Sequence, residues 1–185
     1  HYQPQISLWD GRLLGVEALV RWCDPELGNV PPSSFIPLAE ESGFIIAIGN
    51  WVMAEAVRQA VVWQQAGRPV VISVNVSALQ FQQTDFVDRV ANTLQTAGLD
   101  PALLELELTE SILIQDANDA LERLHALARL GLSLAIDDFG TGYSSLAYLK
   151  KFPISKLKID RAFVMGLPQD EGDRAIVGAT IAMAR

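Results

Sequence analysis

Short apolar runs alternate with longer segments of helical periodicity along the whole chain. The runs that predict strands are residues 2–9, 13–22, 70–77, 103–109, 132–138 and 156–163. The segments that predict helices are residues 32–42, 45–66, 84–97, 116–130, 144–151 and 172–185. Strands and helices that alternate in this way predict an α/β fold with a mainly parallel sheet covered by helices.

The placement of polar residues within the strands favours a barrel over an open, doubly wound sheet. Side chains point alternately to the two faces of a strand. Residues 103–109 therefore place Glu105 and Glu107 on one face and leucines on the other, and Asn75 shares a polar face opposite Ile72 and Val74. An aliphatic face suits covering helices, and polar groups near the strand ends suit a barrel with a site at its mouth. A doubly wound nucleotide-binding sheet would have two apolar faces and a G-x-G-x-x-G turn, which the sequence lacks.

The chain is short for a complete barrel. We count six strands where a (β/α)₈ barrel has eight, and 185 residues compare with roughly 250 for that fold. We therefore expect a single partial domain over residues 1–185, truncated at both ends and represented through about its sixth strand and the following helix. The longest apolar stretch, residues 44–62, is broken by polar residues. It predicts a packed helix rather than a membrane span, which needs roughly 20 apolar residues.

The net charge of the chain and its cysteine content exclude several classes of function. A net charge of −8 argues against binding to a nucleic-acid backbone, so we expect no DNA or RNA duplex as a partner. A small phosphorylated ligand bridged by divalent cations remains compatible with that charge. Cys23 is the single cysteine, which excludes an internal disulfide and a thiolate metal cluster. This content fits a reducing compartment, and we expect a cytoplasmic domain.

Residues with hard oxygen donors fall on or just after the predicted strands. They are Glu17, Asn75, Glu107, Asp137 and Asp138. This donor set suits Mg²⁺, Mn²⁺ or Ca²⁺ rather than zinc. Two neighbouring acids could bridge two metals about 3.5–4 Å apart, an arrangement that hydrolyses phosphodiesters. Glu105 shares the face of Glu107 but lies deeper in its strand, where a structural ion pair is the expected role.

The same residues lie in longer motifs that follow one another along essentially the whole chain. The motifs are HYQP, EALVRW, PPSSFIPLAEESG, SVNVSALQF, ELTES, IDDFGTGYSSL and LKIDRAFV. This series closely resembles the EAL-domain family of bacterial cyclic di-GMP phosphodiesterases, although the EAL triplet alone would be a weak signal. The resemblance implies a TIM-like (β/α)₈ barrel whose first strand is antiparallel. It also implies a two-metal site that hydrolyses cyclic di-GMP to linear pGpG.

The resemblance implies that the five oxygen-donor residues bind metal ions. Glu17, Asn75, Glu107 and Asp137 resemble the ligands of one Mg²⁺ or Mn²⁺. Asp137 would bridge to a second metal, which Asp138 helps to hold.

Further residues match the family motifs in other roles. Lys158 resembles a catalytic lysine that contacts the attacking water, and Asp160 is assigned with it at the edge of the metal site. Gln3 and Arg21 resemble substrate contacts, with Arg21 as a charge-assisted partner for phosphate. Glu110 resembles a glutamate that braces the loop at residues 139–145, which links the metal site to dimer contacts in this family.

Two segments of the family motif set are absent from the sequence. One is an EGVE segment, whose glutamate is a general base or a further metal ligand, and the other is a QGY or QGF segment that contacts substrate. The activity of this chain by itself is therefore open, and a receptor that binds cyclic di-GMP without hydrolysis is the alternative.

An unrelated metal-dependent barrel enzyme, such as a lyase, fits the strands but not the motifs. A kinase interpretation of DFG fails because the Gly-rich, VAIK and HRD motifs are absent.

The resemblance also bears on partners. Members of this family often follow sensor or GGDEF domains and are frequently homodimeric. A homodimer, additional domains and membrane attachment of a longer parent protein are all compatible with this sequence.

Overall fold

The computed structural model describes residues 1–113, 117–140 and 149–184. The strands are β1 Tyr2–Ile6, β2 Leu13–Ala18, β3 Trp22–Asp24, β4 Gly28–Val30, β5 Val71–Val76, β6 Leu104–Thr109, β7 Ser133–Phe139 and β8 Lys156–Ile159. The α-helices are α1 Pro32–Glu41, α2 Ile45–Gln65, α3 Ala78–Phe81, α4 Phe86–Ala97, α5 Ala117–Arg129, α6 Arg161–Met165 and α7 Glu171–Met183. Short 3₁₀ helices span Pro101–Leu103 and Glu110–Leu113. Most of the predicted helix at residues 144–151 lies outside the described residues.

One six-stranded sheet organises the fold, in the order β1-β2-β5-β6-β7-β8. β1 pairs with β2 antiparallel, and every later neighbouring pair is parallel. The sheet curls, because the Lys156 Nζ atom on β8 lies 3.3 Å from the Gln5 Oε1 atom on β1 at the opposite edge. A curled parallel sheet with an antiparallel first strand confirms the predicted fold class, a TIM-like barrel through its sixth strand.

The second predicted strand is wrong beyond Ala18. Residues after Ala18 leave the sheet, and Trp22–Asp24 instead pairs antiparallel with Gly28–Val30 in a separate hairpin. Gly28 has a φ of 69°, which a side chain would disfavour, so glycine ends the turn at low cost. Each arm of this hairpin has three residues, too few for an alternating pattern to reveal.

The last predicted strand is wrong beyond Ile159. Asp160 Oδ1 accepts a hydrogen bond from the Ala162 backbone N–H at 2.6 Å and thereby caps helix α6. An aspartate in this position satisfies a backbone donor that the first helical turn leaves without a partner. The chain therefore turns from strand to helix where alternation alone would continue the strand.

The outward faces of the strands form the core with α2, α4 and α5. Leu104, Leu106 and Leu108 on β6 are completely buried, as are Leu124 and Leu127 on α5. Burial of each such side chain contributes about 1.5–3 kcal/mol relative to exposure. Because alternate residues of β6 point the other way, the same strand that builds the core also carries Glu105 and Glu107 into the interior of the curl.

Helix α2 is the long apolar helix that the sequence predicts. Its length of 21 residues and its composition satisfy the minimum for a membrane span, and 39% of its most apolar window is buried inside the protein. Met53, Ala56, Val57 and Ala60 on this helix belong to the buried core. The packed position of α2 confirms the prediction that residues 44–62 contribute to a folded core.

We expect Leu106→Ala to lower the free energy of unfolding by about 2–5 kcal/mol, since it removes a fully buried side chain and leaves a cavity. Urea denaturation monitored by circular dichroism measures the change. Leu27→Ala is the matched control, because Leu27 is 70% exposed and its loss should cost no more than about 0.5 kcal/mol. Equal effects of the two variants would contradict the assigned core.

Candidate metal centre

Three carboxylates from different strands meet inside the curl. Glu17 on β2, Glu107 on β6 and Asp137 on β7 each offer one oxygen, and the three oxygens lie within 4.8 Å of one another. Each residue lies near the carboxyl end of its strand, and those ends meet at one edge because β2, β5, β6 and β7 run parallel. The structure thus brings together residues separated by as many as 120 positions in the sequence.

Lys158 on β8 lies among these carboxylates. Its Nζ atom donates to Glu17 Oε2 at 3.2 Å, to Glu107 Oε2 at 2.5 Å and to Asp137 Oδ2 at 2.8 Å. One ammonium facing three ionised carboxylates would leave two negative charges uncompensated. That excess of negative charge favours a divalent cation bound by the same carboxylates.

Burial and the lysine–carboxylate contacts act in opposite directions on the pKa values of Glu107 and Lys158. Burial raises the pKa of Glu107, and the negative charges of Glu17 and Asp137 add to that effect, while Lys158 opposes it. Burial lowers the pKa of Lys158, but its hydrogen bonds to Asp137 and Glu107 outweigh burial and raise the pKa above its usual value. Lys158 is therefore a cation at neutral pH.

The donor atoms fit a bound metal ion. Among the described residues, the buried Glu107 Oε1 atom has no hydrogen-bond partner. A buried acceptor without a partner costs about 1–3 kcal/mol, and more when it is charged. A divalent cation would satisfy such an oxygen, and an all-oxygen donor set is the kind that Mg²⁺ and Mn²⁺ prefer.

Asn75 lies directly beside the cluster. It is the register partner of Glu107 across β5 and β6, and its Nδ2 atom donates to Glu17 Oε1 at 2.8 Å. The side chain is exposed at the strand end rather than enclosed among valines. The hydrogen bond orients Glu17, and it leaves the Asn75 amide oxygen as a further hard donor.

Asp138 adopts a strained backbone conformation. Its φ of 52° lies in the left-handed region, where non-glycine residues are uncommon outside functional sites and turns. Its backbone N–H donates to Asp137 Oδ1 at 2.9 Å. Burial raises the pKa of the Asp138 carboxyl, and the charge of Asp137 and a side-chain hydrogen bond with Asp160 raise it further.

The structure places Asp160 beside Asp138 and not within the cluster of three carboxylates. One Asp160 oxygen caps α6, and the side chain also hydrogen-bonds to Asp138. The sequence predicts that Asp160 lies at the edge of the metal site. Its position beside Asp138 is compatible with that role, which stays a prediction.

The predicted substrate contacts border the centre. Gln3 is the register partner of Glu17 across β1 and β2, and its side chain is exposed. Arg21 is also exposed, and it lines a cavity of about 560 Å³ together with Asn75 and Glu107. An exposed guanidinium beside an acidic centre is well placed for an anionic ligand.

Glu110 holds the start of the predicted loop. Its side chain is buried, and Oε2 accepts a hydrogen bond from the Gly140 backbone N–H at 3.1 Å. Gly140 has a φ of 99°, so the chain turns sharply at this contact. Residues 141–145 of that loop lie outside the described residues, and the wider bracing role stays a prediction.

The wall of the cavity contains a polar contact that the sequence pattern did not predict. Gln80 is buried in that wall and donates to Asn50 Oδ1 at 3.3 Å. A Cβ atom on Gly49 would lie only 2.3 Å from Gln80 Oε1, so the two elements approach closely because residue 49 is glycine. A glycine in the second turn of a long helix is the signal that could have indicated this contact, since glycine within a helix costs about 1 kcal/mol relative to alanine.

Comparison with known proteins places these features in a family. A family model described as EAL domain matches residues 1–185. The bifunctional diguanylate cyclase/cyclic di-GMP phosphodiesterase MucR of Pseudomonas aeruginosa is 48% identical over 186 residues, which cover 100% of this chain and 27% of MucR. Cyclic di-GMP phosphodiesterase PdeR of Escherichia coli is 40% identical over 185 residues, 100% of this chain and 28% of PdeR. The chain therefore spans little more than a quarter of either relative.

Solved structures share the fold. The phosphodiesterase of MucR in complex with c-di-GMP superimposes with a TM-score of 0.96 at 48% identity, covering 100% of this chain and 75% of that one. The EAL domain of Mycobacterium smegmatis DcpA gives a TM-score of 0.82 at 38% identity, with coverage of 100% and 75%.

We expect Lys158→Met to lower the free energy of unfolding in metal-free buffer by roughly 3 kcal/mol, because it leaves three carboxylates without their cation. This value is at the low end for a buried pair, since 22% of the Lys158 side chain is exposed. Urea denaturation at neutral pH measures it. Lys150→Met, at an exposed lysine, is the control with an expected change below about 0.5 kcal/mol. A Lys158→Met variant as stable as this control would contradict the electrostatic role.

Proposed function

The chain belongs to the EAL domain family, and we propose that it forms the catalytic region of a metal-dependent phosphodiesterase that hydrolyses cyclic di-GMP to linear pGpG. The convergence of Glu17, Glu107 and Asp137 on one point, with Lys158 among them, is the observation that carries this proposal. The names of the MucR and PdeR relatives support it, as does the MucR structure with c-di-GMP.

We assign the metal ligands to the five residues with oxygen donors near the strand ends. Glu17, Asn75, Glu107 and Asp137 would hold one Mg²⁺ or Mn²⁺, and Asp137 with Asp138 would hold a second. Bound divalent cations supply Lewis-acid stabilisation of phosphate oxygens and activate water for attack on phosphorus.

The other residues act on the substrate. Lys158 donates hydrogen bonds from a permanent cation, which stabilises negative charge that develops on the phosphate during hydrolysis. Arg21 binds a phosphate oxygen through a charge-assisted hydrogen bond. Apolar side chains in the cavity wall, including Ile36, Ile48 and Leu79, offer a surface for a guanine base. Gln3, opposite Glu17, contacts the same ligand from β1.

The presence of the acidic residues Glu17, Glu107, Asp137 and Asp138 favours an enzyme over a receptor. A protein that only binds cyclic di-GMP has no need for a catalytic lysine within a cluster of metal-binding acids. The cluster of Glu17, Glu107 and Asp137 is intact here, and both Asp138 and Lys158 contact it. Hydrolysis is therefore the function that the geometry supports best.

We expect Glu17→Ala to abolish turnover, because it removes a proposed metal ligand and the hydrogen-bond partner of Asn75. Chromatography of the nucleotides after incubation with cyclic di-GMP and Mg²⁺ or Mn²⁺ measures the pGpG formed. Glu26→Ala is the matched control, since Glu26 is exposed in the β3–β4 turn and should leave turnover unchanged. Turnover retained in Glu17→Ala would overturn the ligand assignment. Tight binding of cyclic di-GMP by the longer parent protein, with metal but without product, would favour a receptor instead.

The metal requirement has its own test. We expect chelation with EDTA to stop hydrolysis, and Mg²⁺ or Mn²⁺ to restore it, because the proposed ligands are all oxygen donors. Titration of each metal into chelated protein gives its relative affinity and its effect on turnover. Full activity after chelation would contradict a metal-dependent mechanism.

We further propose that this region works in the cytoplasm within a longer protein and associates as a homodimer. The MucR relative supports the additional domain, since its name includes a diguanylate cyclase. The family resemblance links residues 139–145 to dimer contacts, and the described contact of Glu110 with Gly140 lies at the start of that segment. Light scattering during size-exclusion chromatography measures the oligomeric state.

A further inference from the structure

A second polar cluster lies inside the curl, one layer below the candidate metal centre. Glu105 Oε1 accepts hydrogen bonds from Ser73 Oγ at 2.6 Å and from Lys156 Nζ at 2.8 Å. Lys156 Nζ also donates to Gln5 Oε1 at 3.3 Å, and Gln5 Nε2 donates to Ser73 Oγ at 3.4 Å. These four side chains, Gln5, Ser73, Glu105 and Lys156, form a closed set that we call the lower ring.

The lower ring is in register with the metal centre above it. Ser73 pairs with Glu105 across β5 and β6, and the next inward pair along these strands is Asn75 with Glu107. Lys156 likewise precedes Lys158 by two residues on β8. Side chains two residues apart on a strand point to the same face, about 6–7 Å apart. The position of each strand in the lower ring therefore determines where its upper side chain lies.

Strand β8 depends on the side-chain contacts of the lower ring for its position more than the neighbouring strands do. It has four residues, and within the described part of the chain it pairs with β7 only. The pairing of β7 with β8 is irregular between Ile136 and Phe139, and Lys158 lies opposite this irregular part. The backbone hydrogen bonds of the sheet therefore do not fix the position of Lys158 directly. Ser155 anchors the start of the strand through two hydrogen bonds to the Leu134 carbonyl. Lys156 is the adjacent side chain that reaches across the interior to other strands.

A role in stability does not account for the lower ring well. Glu105 is 3% exposed and Ser73 is completely buried, so the carboxylate loses most of its hydration. Its partner Lys156 has a side chain that is 39% exposed, and ion pairs of partly exposed or buried groups generally contribute little net stability. Fixing the register of a strand is a better-supported use of such a pair, because a slipped strand would leave a buried charge without its partner.

We propose that the lower ring is a positioning device for the metal centre. The ion pair of Lys156 with Glu105, tied to β1 through Gln5, holds β8 so that Lys158 lies among the three carboxylates above. Lys156 and Glu105 act through Lys158 and Glu107 and do not contact substrate. The inference rests on the proposed function, since it assigns the lower ring to the support of that centre.

The test compares Lys156→Met, Glu105→Gln and the double variant that carries both changes with Lys150→Met as control. Mn²⁺ affinity is measured from the loss of the free-ion electron paramagnetic resonance signal, and stability from thermal unfolding. We expect each single variant and the double variant to bind Mn²⁺ about tenfold more weakly or worse, because Glu105 lies two residues before the proposed ligand Glu107 on β6 and residues that orient metal ligands have effects of this size. The double variant should regain stability relative to Lys156→Met, because it leaves no unpaired buried charge, without regaining Mn²⁺ affinity. Affinities equal to the control in all folded variants would overturn the proposal.

A second measurement does not depend on metal. The ¹⁵N signal of the Lys158 ammonium in metal-free protein, assigned by its loss in Lys158→Met, reports the position of that group among the carboxylates. We expect this signal to shift or broaden in Lys156→Met and Glu105→Gln, and to be unchanged in Lys150→Met. An unchanged signal in both ring variants would overturn the positioning role. If the unmodified chain binds no Mn²⁺ but the signal still shifts, the proposed function fails and the positioning role stands.

Discussion

The ammonium of Lys158 among three carboxylates is the interaction on which the site depends. Glu17, Glu107 and Asp137 would repel one another in a partly buried interior, and desolvation adds to that cost. The lysine offsets the repulsion, and its hydrogen bonds join β8 to β2, β6 and β7. Because buried ionic clusters rarely stabilise a fold in net terms, the energy that holds this arrangement must come from elsewhere in the molecule.

The strands supply that energy from their opposite faces. On β6, Leu104, Leu106 and Leu108 pack against the helices, while Glu105 and Glu107 point into the curl. The two-residue period of the strand couples these roles, since a shift of one residue would bury the acids among helices and expose the leucines to the interior. Packing of the apolar faces against the helices therefore also fixes the positions of the acidic side chains on the inner faces of the strands.

Local patterns predicted much of this fold, and the family motifs predicted the site residues. The alternation of leucine and glutamate in β6 shows both faces in the sequence itself. The β3–β4 hairpin was not predictable in this way, because arms of three residues carry too little pattern. The end of β8 was missed because Ile159 and Asp160 continue the alternation, and only the cap on Ala162 reveals the helix. The contact of Lys158 with Glu17 spans 141 positions and exists because the sheet curls, which no local pattern reports.

The two adjacent aspartates of β7 show how backbone strain serves the same centre. In a regular strand, Asp137 and Asp138 would point to opposite faces, and Asp138 would enter the helical layer without water or a cation. The left-handed φ of Asp138 interrupts the regular alternation within β7, which continues to Phe139, and the Asp138 side chain instead meets Asp160 beside the cluster. The turn continues at Gly140, where a Cβ atom would press against Phe163 at 3.1 Å and Ile176 at 3.2 Å. The cost of the strained aspartate, about 1–3 kcal/mol, is thus confined to the single residue that follows Asp137 beside the cluster.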